Sequence, residues 1–297
     1  MDQMDIIIVN YHSTDYLKSC LASLEAVGAM HWTYPIWVVD NSGDTALETK
    51  LPQYPHLTIT VNNKNLGFAG AVNQMIDQGK APYILLLNPD TCLLPGFFDE
   101  LASTFDAHPD GGIIGPRVLN SDGSVQGSAR AFPTFVSGFF GRNSLISKYY
   151  PNNRFTRANI LTGSLDEKRT TPVDWISGAG LALRRTAVED VGALDERFFM
   201  YWEDVDLCRR MWNRGWQVLY CPRISMIHHG GCSSEKRIIR SVIDFHVSSF
   251  RYISKYMPLT FRFLFPFVIS GLFVRMQIIL CFHLFRKSRL RVRRRKG

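Results

Sequence analysis

The sequence predicts an α/β domain built around a mostly parallel sheet. Short apolar runs that stop abruptly at polar residues recur through the first 90 positions, and several are separated by stretches with helical spacing. A strand covered by helices on both faces reads as such a run, and strands alternating with helices give a parallel sheet.

The first run is Asp5-Ile-Ile-Ile-Val-Asn10, followed by residues 15–27 with Leu17, Cys20, Leu21 and Leu24 on one helical face. Ile36-Trp-Val-Val-Asp40 is the second, ending in Asn41-Ser-Gly-Asp44. The third, Leu57–Val61, leads into Asn62–Gly70 and a helix over Ala71–Gln78. Tyr83-Ile-Leu-Leu-Leu87 is the fourth and stops at Asn88-Pro-Asp90. Residues 120–172 are loop-rich, which suits a substrate-facing excursion as well as an inert insertion. Order resumes with a strand at Trp175–Leu183, a helix over Asp204–Gly215 and a strand at Gln217–Cys221. The expected division is a catalytic domain over 1–240, with halves of about 1–118 and 119–240, and a C-terminal segment over 241–297.

Hydrophobic residues make up 46% and charged residues 20% of the 297, a globular composition. The net charge of +8 is local. Eight basic residues and no acid fall within 286–297, which leaves 26 basic and 26 acidic residues elsewhere. A tail of that kind without interleaved aromatics does not make a nucleic-acid-binding surface. The six cysteines are scattered, with no CxxC pair, which argues against a zinc site or disulfide framework and for a reducing compartment. Residues 1–5 carry two acids and no base, and Ile6–Val9 is too short for a signal-peptide core, so a cytosolic catalytic part is expected.

Phe261–Phe285 is almost wholly apolar but is interrupted by Arg262, Pro266, Arg275, Gln277 and His283. Its longest uncharged stretch, Phe263–Val274, falls short of the ~20 residues that cross a bilayer. The expectation is an interfacial or re-entrant hydrophobic hairpin, held on an anionic membrane surface by the basic tail, with a single spanning helix second.

In parallel sheets ligands bind beyond the carboxyl ends of the strands. Asn10, Asp40, the Asn65–Gly70 loop and Asp90 all fall at such ends. Each alone also reads as a turn or cap residue; four together point to one site. Asp90, at the end of a buried strand, suits a divalent cation that neutralises a diphosphate. Glu203-Asp204 opens a helix, where Asp204 reads either as a cap or as a carboxylate that takes a proton from a hydroxyl beside Tyr201 and Trp202. His228 or His229 can complete a metal sphere, though a lone histidine is more often structural.

These segments resemble glycosyltransferase family 2, in particular the bacterial rhamnosyltransferases of cell-surface polysaccharide assembly. The matching residues are Ile8-Val-Asn-Tyr11, Val38-Val-Asp-Asn-Ser42, Asn65–Asn73, Leu87-Asn-Pro-Asp90, Ser177-Gly-Ala179, Gly192–Asp206 and His228-His-Gly-Gly231, in the family's order over about 5–235. The resemblance implies a GT-A fold, Rossmann-like and specific for nucleotide-diphosphate sugars, with the C-terminal 60 residues outside it as a membrane-associating helical extension. It implies that Asp40 contacts the base and that Asn10, Tyr11, Asn65, Gly67, Phe68, Asn73 and Asn88 line the donor pocket. Asn88-Pro-Asp90 takes the place of the family's D-x-D motif; its first carboxylate is an asparagine here, which leaves Asp90 as the principal ligand of Mg2+ or Mn2+, with His228 preferred over His229. Asp204 becomes the base of an inverting displacement, Glu203 orients the acceptor, and Trp175, Tyr201 and Trp202 contact it.

The implied donor is dTDP-rhamnose, with uridine diphosphate hexoses and galactofuranose open. The implied acceptor is a lipid-linked saccharide, in O-antigen or other surface polysaccharide synthesis, at the cytoplasmic face of the bacterial inner membrane. A nucleotidyltransferase would carry a Gly-rich loop with a basic residue after the first strand, which Asn10-Tyr-His-Ser13 does not supply. An inactive membrane scaffold would not need Asp90, Asp204 and His228.

Overall fold

The computed structural model describes residues 3–28, 34–54, 56–133, 160–230 and 238–294, with side chains as far as 283. The expected 120–172 excursion therefore lies partly outside the described residues, as does the end of the basic tail.

A nine-stranded sheet runs through the molecule. Its strands are β1 (Met4–Asn10), β2 (Ile36–Asp40), β3 (Leu57–Val61), β4 (Tyr83–Leu87), β5 (Thr91–Leu93), β6 (Gly111–Leu119), β8 (Thr171–Pro172), β10 (Gly180–Arg184) and β11 (Gln217–His228). The order is β3-β2-β1-β4-β10-β6-β11-β5, with β8 added on β11. Two short strands, β7 (Ala129–Arg130) and β9 (Trp175–Ile176), form a separate antiparallel pair.

The first four strands are parallel, as their apolar runs predict. Alternation along them serves two faces. Ile6, Ile8, Leu85 and Leu87 join a core with α1 (Thr14–Val27) and α4 (Phe97–Ala107). Ile7, Ile84 and Leu86 join the other core with α3 (Gly67–Gln78), α5 (Arg185–Val191) and α6 (Glu203–Asn213). A one-turn helix, α2 (Leu47–Lys50), follows β2.

The rest of the sheet is mixed. β10 lies antiparallel between β4 and β6, while β11 is parallel to β6. The single strand expected over Trp175–Leu183 is two elements, because Trp175–Ile176 pairs with β7 whereas Gly180–Arg184 pairs with β4 and β6. β11 continues seven residues beyond the expected end at Cys221. Its register shifts between Cys221 and Ser225, a bulge that accommodates Pro222, which has no amide to donate.

At the amino edge of the sheet, Asp5 is 1% exposed. Its carboxylate accepts from Arg185 Nη2 (2.7 Å), Trp37 Nε1 (3.1 Å) and the Ala81 amide (2.9 Å). This buried pair locks β1 to the start of α5, away from the ligand edge.

After β11 come α7 (Ile238–Tyr256), a 3-10 turn at Leu259–Leu264 and α8 (Phe265–Arg294). The hairpin expected over 261–285 is one continuous helix instead. Pro266 sits in its first turn, where a missing amide costs nothing. Arg275 needs no chain reversal to leave an apolar environment, because its Nη1 donates to His246 Nε2 of α7 (3.2 Å). Leu259–His283 is long and apolar enough to cross a membrane, and only 11% of its apolar window is buried.

Candidate active site

The carboxyl edge of the sheet collects the polar residues. Asn10 ends β1, Asp40 ends β2, Asn88 follows β4 and His228 ends β11, whose direction matches theirs. The chain leaves β1 for β2 and β3 on one side and returns to β4 on the other, a switch point that opens a crevice at this edge.

Asp40 is fully buried and organises the loop after β2. Its oxygens accept from Asn10 Nδ2 (2.7 Å), the Ser42 hydroxyl (2.7 Å) and the amides of Ser42 (3.1 Å) and Asp44 (3.0 Å). Two residues passed over in the sequence, Asn41 and Asn62, continue this network. Asn41 Nδ2 donates to Gly67 O (2.9 Å) and Asn62 Nδ2 to Asn41 Oδ1 (2.9 Å). Asn65 accepts the Gly67 amide (2.8 Å) in a tight turn. Gly67 has φ +78°, and a Cβ there would lie 2.3 Å from Phe199 O. That carbonyl also accepts the Phe68 amide at 2.9 Å. Asn73 binds Leu194 in both directions (2.8 and 3.0 Å). The start of α3 is thus clamped to the 194–199 segment. Tyr11 is half-buried, and its ring lies 4.5 Å from that of His12 at a tilt of 51°; His12 has a left-handed φ.

Asp90 and His228 meet. His228 Nε2 lies 3.3 Å from Asp90 Oδ1 and 3.5 Å from Asn88 Nδ2. Gln126 Nε2 donates to His228 O (2.7 Å), which turns Gln126 Oε1 toward His228 Nδ1 (3.1 Å). Nδ1 then carries the proton, and a neutral ring presents a lone pair at Nε2 to the Asp90 carboxylate. An imidazole nitrogen and a carboxylate oxygen side by side are ligand types that suit a divalent cation. No group of three His, Cys, Asp or Glu ligands exists among the described residues, so water or a ligand's oxygens would have to complete the sphere. His229 turns away, to Ser121 Oγ (2.8 Å) and the Tyr16 ring.

Glu203 and Asp204 open α6 after two left-handed residues, Tyr201 (φ 69°) and Trp202 (φ 72°). Asp204 Oδ2 accepts the Gly178 amide and Oδ1 the Val205 amide, both at 2.8 Å. Burial raises the Asp204 pKa, against the lowering effect of these amides and the Arg130 charge. Burial, then the neighbouring Asp204 charge, holds Glu203 well above the usual carboxylate range. The Gly178–Ala179 turn joins the two centres, since the Asn88 amide donates to Ala179 O (3.0 Å). Arg130, which no periodicity marked, stacks on Trp175 at 5.2 Å. Among the described residues, four of the five buried polar atoms without a partner are Asn10 Oδ1, Ser128 Oγ, Trp202 Nε1 and Glu203 Oε2. All four belong to residues at this edge, the pattern of a site that awaits a polar ligand.

The mixed sheet, its switch point and the polar residues gathered at one edge have the architecture of the GT-A fold. A sequence profile described as "Glycosyltransferase like family 2" matches residues 2–242. The chain belongs to this family and is a rhamnosyltransferase-like member of it. It is 31% identical over 265 residues, 85% of this chain and 84% of the relative, to the N-acetylglucosaminyl-diphospho-decaprenol L-rhamnosyltransferase of Mycobacterium tuberculosis. It is 26% identical to the rhamnosyltransferase WbbL of Escherichia coli, over 84% of this chain and 92% of that one. Among solved structures, the mannosyltransferase PcManGT of Pyrobaculum calidifontis, in complex with GDP-Man and Mn2+, shares the fold with TM-score 0.55 at 12% identity, over 91% of this chain and 73% of that one.

Proposed function

We propose that this glycosyltransferase is a metal-dependent inverting enzyme that moves rhamnose from dTDP-rhamnose to a hydroxyl of a lipid-linked saccharide. The observation that carries the reading is the Gly178–Ala179 turn, bonded to Asp204 on one side and to the Asn88–Asp90 loop on the other. A base and a diphosphate-neutralising centre so joined suit one in-line displacement. Rhamnose and the lipid carrier rest on the names of the relatives.

In this reading Asp204, aligned by two amides, takes the proton of the acceptor hydroxyl. The hydroxyl oxygen attacks the anomeric carbon from the face opposite the diphosphate, the bond to the diphosphate breaks, and the configuration inverts. Asp90 and His228 would hold Mg2+ or Mn2+, which when bound neutralises charge on the departing diphosphate. Trp175, Tyr201 and Trp202 offer aromatic faces to the acceptor ring. Glu203, whose pKa burial raises, orients it. Asn10, Tyr11, Asp40, Asn65, Gly67, Phe68, Asn73 and Asn88 shape the donor pocket.

The site of action is the cytoplasmic face of a bacterial inner membrane, with α8 lying in the interface. Exposed Phe267 (73%), Phe273 (55%), Val274 (55%) and Ile278 (51%) give α8 a lipid-facing surface. Its middle packs on α7, which carries Arg240, Asp244, Arg251 and Lys255, residues that a hydrocarbon core does not tolerate. The basic residues from 286 onward then meet anionic headgroups.

The test is a panel of nucleotide sugars offered to the purified full-length chain with N-acetylglucosaminyl-diphospho-prenol and Mg2+ or Mn2+. Transfer from dTDP-rhamnose alone supports the reading. Transfer only from a uridine diphosphate hexose or galactofuranose keeps the class and overturns the sugar.

A further inference from the structure

We propose that Arg275 of α8 is a positioning residue for the acceptor site: it holds Phe245 of α7 against Tyr201 and Trp202, and so ties the lipid-facing helix to the Glu203–Asp204 pair. The inference rests on the transferase reading above for what the pair does, though not for the mechanical link.

Tyr201 and Trp202 are consecutive, bulky and left-handed, a conformation that persists only where the surroundings over-determine it. Those surroundings are α7. Phe245 lies 5.8 Å from both rings, Tyr252 lies 5.1 Å from Trp202, and Ser248 Oγ donates to Met200 O at 2.9 Å. The strained pair places Asp204 at the head of α6, so whatever fixes Phe245 also fixes the base.

Arg275 is the one residue of Asp, Glu, Lys or Arg type between Phe265 and Phe285. Its guanidinium sits 5.5 Å from the Phe245 ring centroid, within cation–π range. Its Nη1 donates to His246 Nε2 at 3.2 Å. His246 Nδ1 is 2.7 Å from Val242 O, which assigns the proton to Nδ1 and leaves Nε2 as the acceptor Arg275 requires. An arginine serving only solubility or headgroup contact would extend its long side chain outward to water. This one turns inward, onto Phe245, which adjoins the acceptor loop, and onto its neighbour His246.

The experiment compares Arg275→Met and Arg275→Lys with the parent, each as full-length chain on anionic vesicles. Three quantities are read: transfer to N-acetylglucosaminyl-diphospho-prenol, the vesicle-bound fraction, and Trp202 fluorescence obtained by subtracting the matching Trp202→Phe chain. Methionine should lower kcat about tenfold or more, since small displacements of a catalytic group cost that much. Donor KM and the bound fraction should stay at parent values, and Trp202 emission should shift. Lysine keeps a cation over the ring and should recover kcat to within about threefold. Parent kcat in Arg275→Met, an unmoved Trp202 emission, or no rescue by lysine overturns the proposal. If the parent itself transfers no sugar, the functional reading fails, and the fluorescence arm still decides whether Arg275 sets the Trp202 environment.

Discussion

Replacing Gly67 with alanine tests the clamp between the donor and acceptor segments. The backbone at Gly67 has φ +78°, which an L residue adopts at about 1–2 kcal/mol. The new Cβ would lie 2.3 Å from Phe199 O. That carbonyl cannot retreat without stretching its 2.9 Å bond from the Phe68 amide, worth about 1 kcal/mol net. Overpacking adds about 1–3 kcal/mol, so the total is about 3–6 kcal/mol unless the two segments part. If they part, the donor pocket moves off the acceptor loop and kcat/KM falls about a hundredfold. Gly123→Ala is the control: φ is +82°, and nothing lies within 4 Å of the added Cβ. It should cost only the left-handed penalty and leave kcat/KM unchanged. Urea unfolding and transfer kinetics on both variants read the difference. Equal destabilisation within about 0.5 kcal/mol, with parent kcat/KM in both, refutes the clamp.

Asp5→Ala leaves Arg185 buried and unpaired at the amino edge, and should cost about 3–5 kcal/mol by urea unfolding with donor KM unchanged. Glu203→Gln removes the charge of a carboxyl whose pKa burial already raises, so kcat should stay within about tenfold of the parent. A raised folded pKa favours folding below the unfolded pKa, and that contribution is lost as pH rises through the folded value. Glu203→Gln should therefore flatten the loss of stability as pH rises out of the ordinary carboxylate range, read as Tm against pH. His228→Ala should weaken Mn2+ dependence of transfer far more than His229→Ala, because only His228 faces Asp90.

Much of the donor edge was legible because three buried strands and the edge strand β3 stand out as apolar runs, each stopping at a polar residue. Pairing order was less legible. Nothing in Gly180–Arg184 says that it enters the sheet antiparallel between β4 and β6. The length of β11 was hidden by Pro222, which ends most strands but here sits in a bulge. Spacing alone could not separate His228 from His229; the register of β11 on β5, with His228 opposite Thr91, does so. Arg130, Gln126 and Phe245 carried no signal, since their importance lies in contacts with residues far along the chain. The C-terminal hairpin is the expectation raised by Arg262, Pro266, Arg275, Gln277 and His283, which interrupt the apolar run. The structure keeps the helix whole, because α7 supplies Arg275 with an acceptor and an aromatic face.

The most direct measurement of the central claim is Asp204→Asn, assayed for sugar transfer and, in parallel, for donor binding by calorimetry. Asparagine preserves size and its oxygen can still accept one of the two amides, but it cannot take a proton. The account predicts a fall in kcat of about 10²–10⁴-fold with the donor Kd unchanged. Near-parent turnover, or a donor Kd that collapses together with kcat, would contradict it.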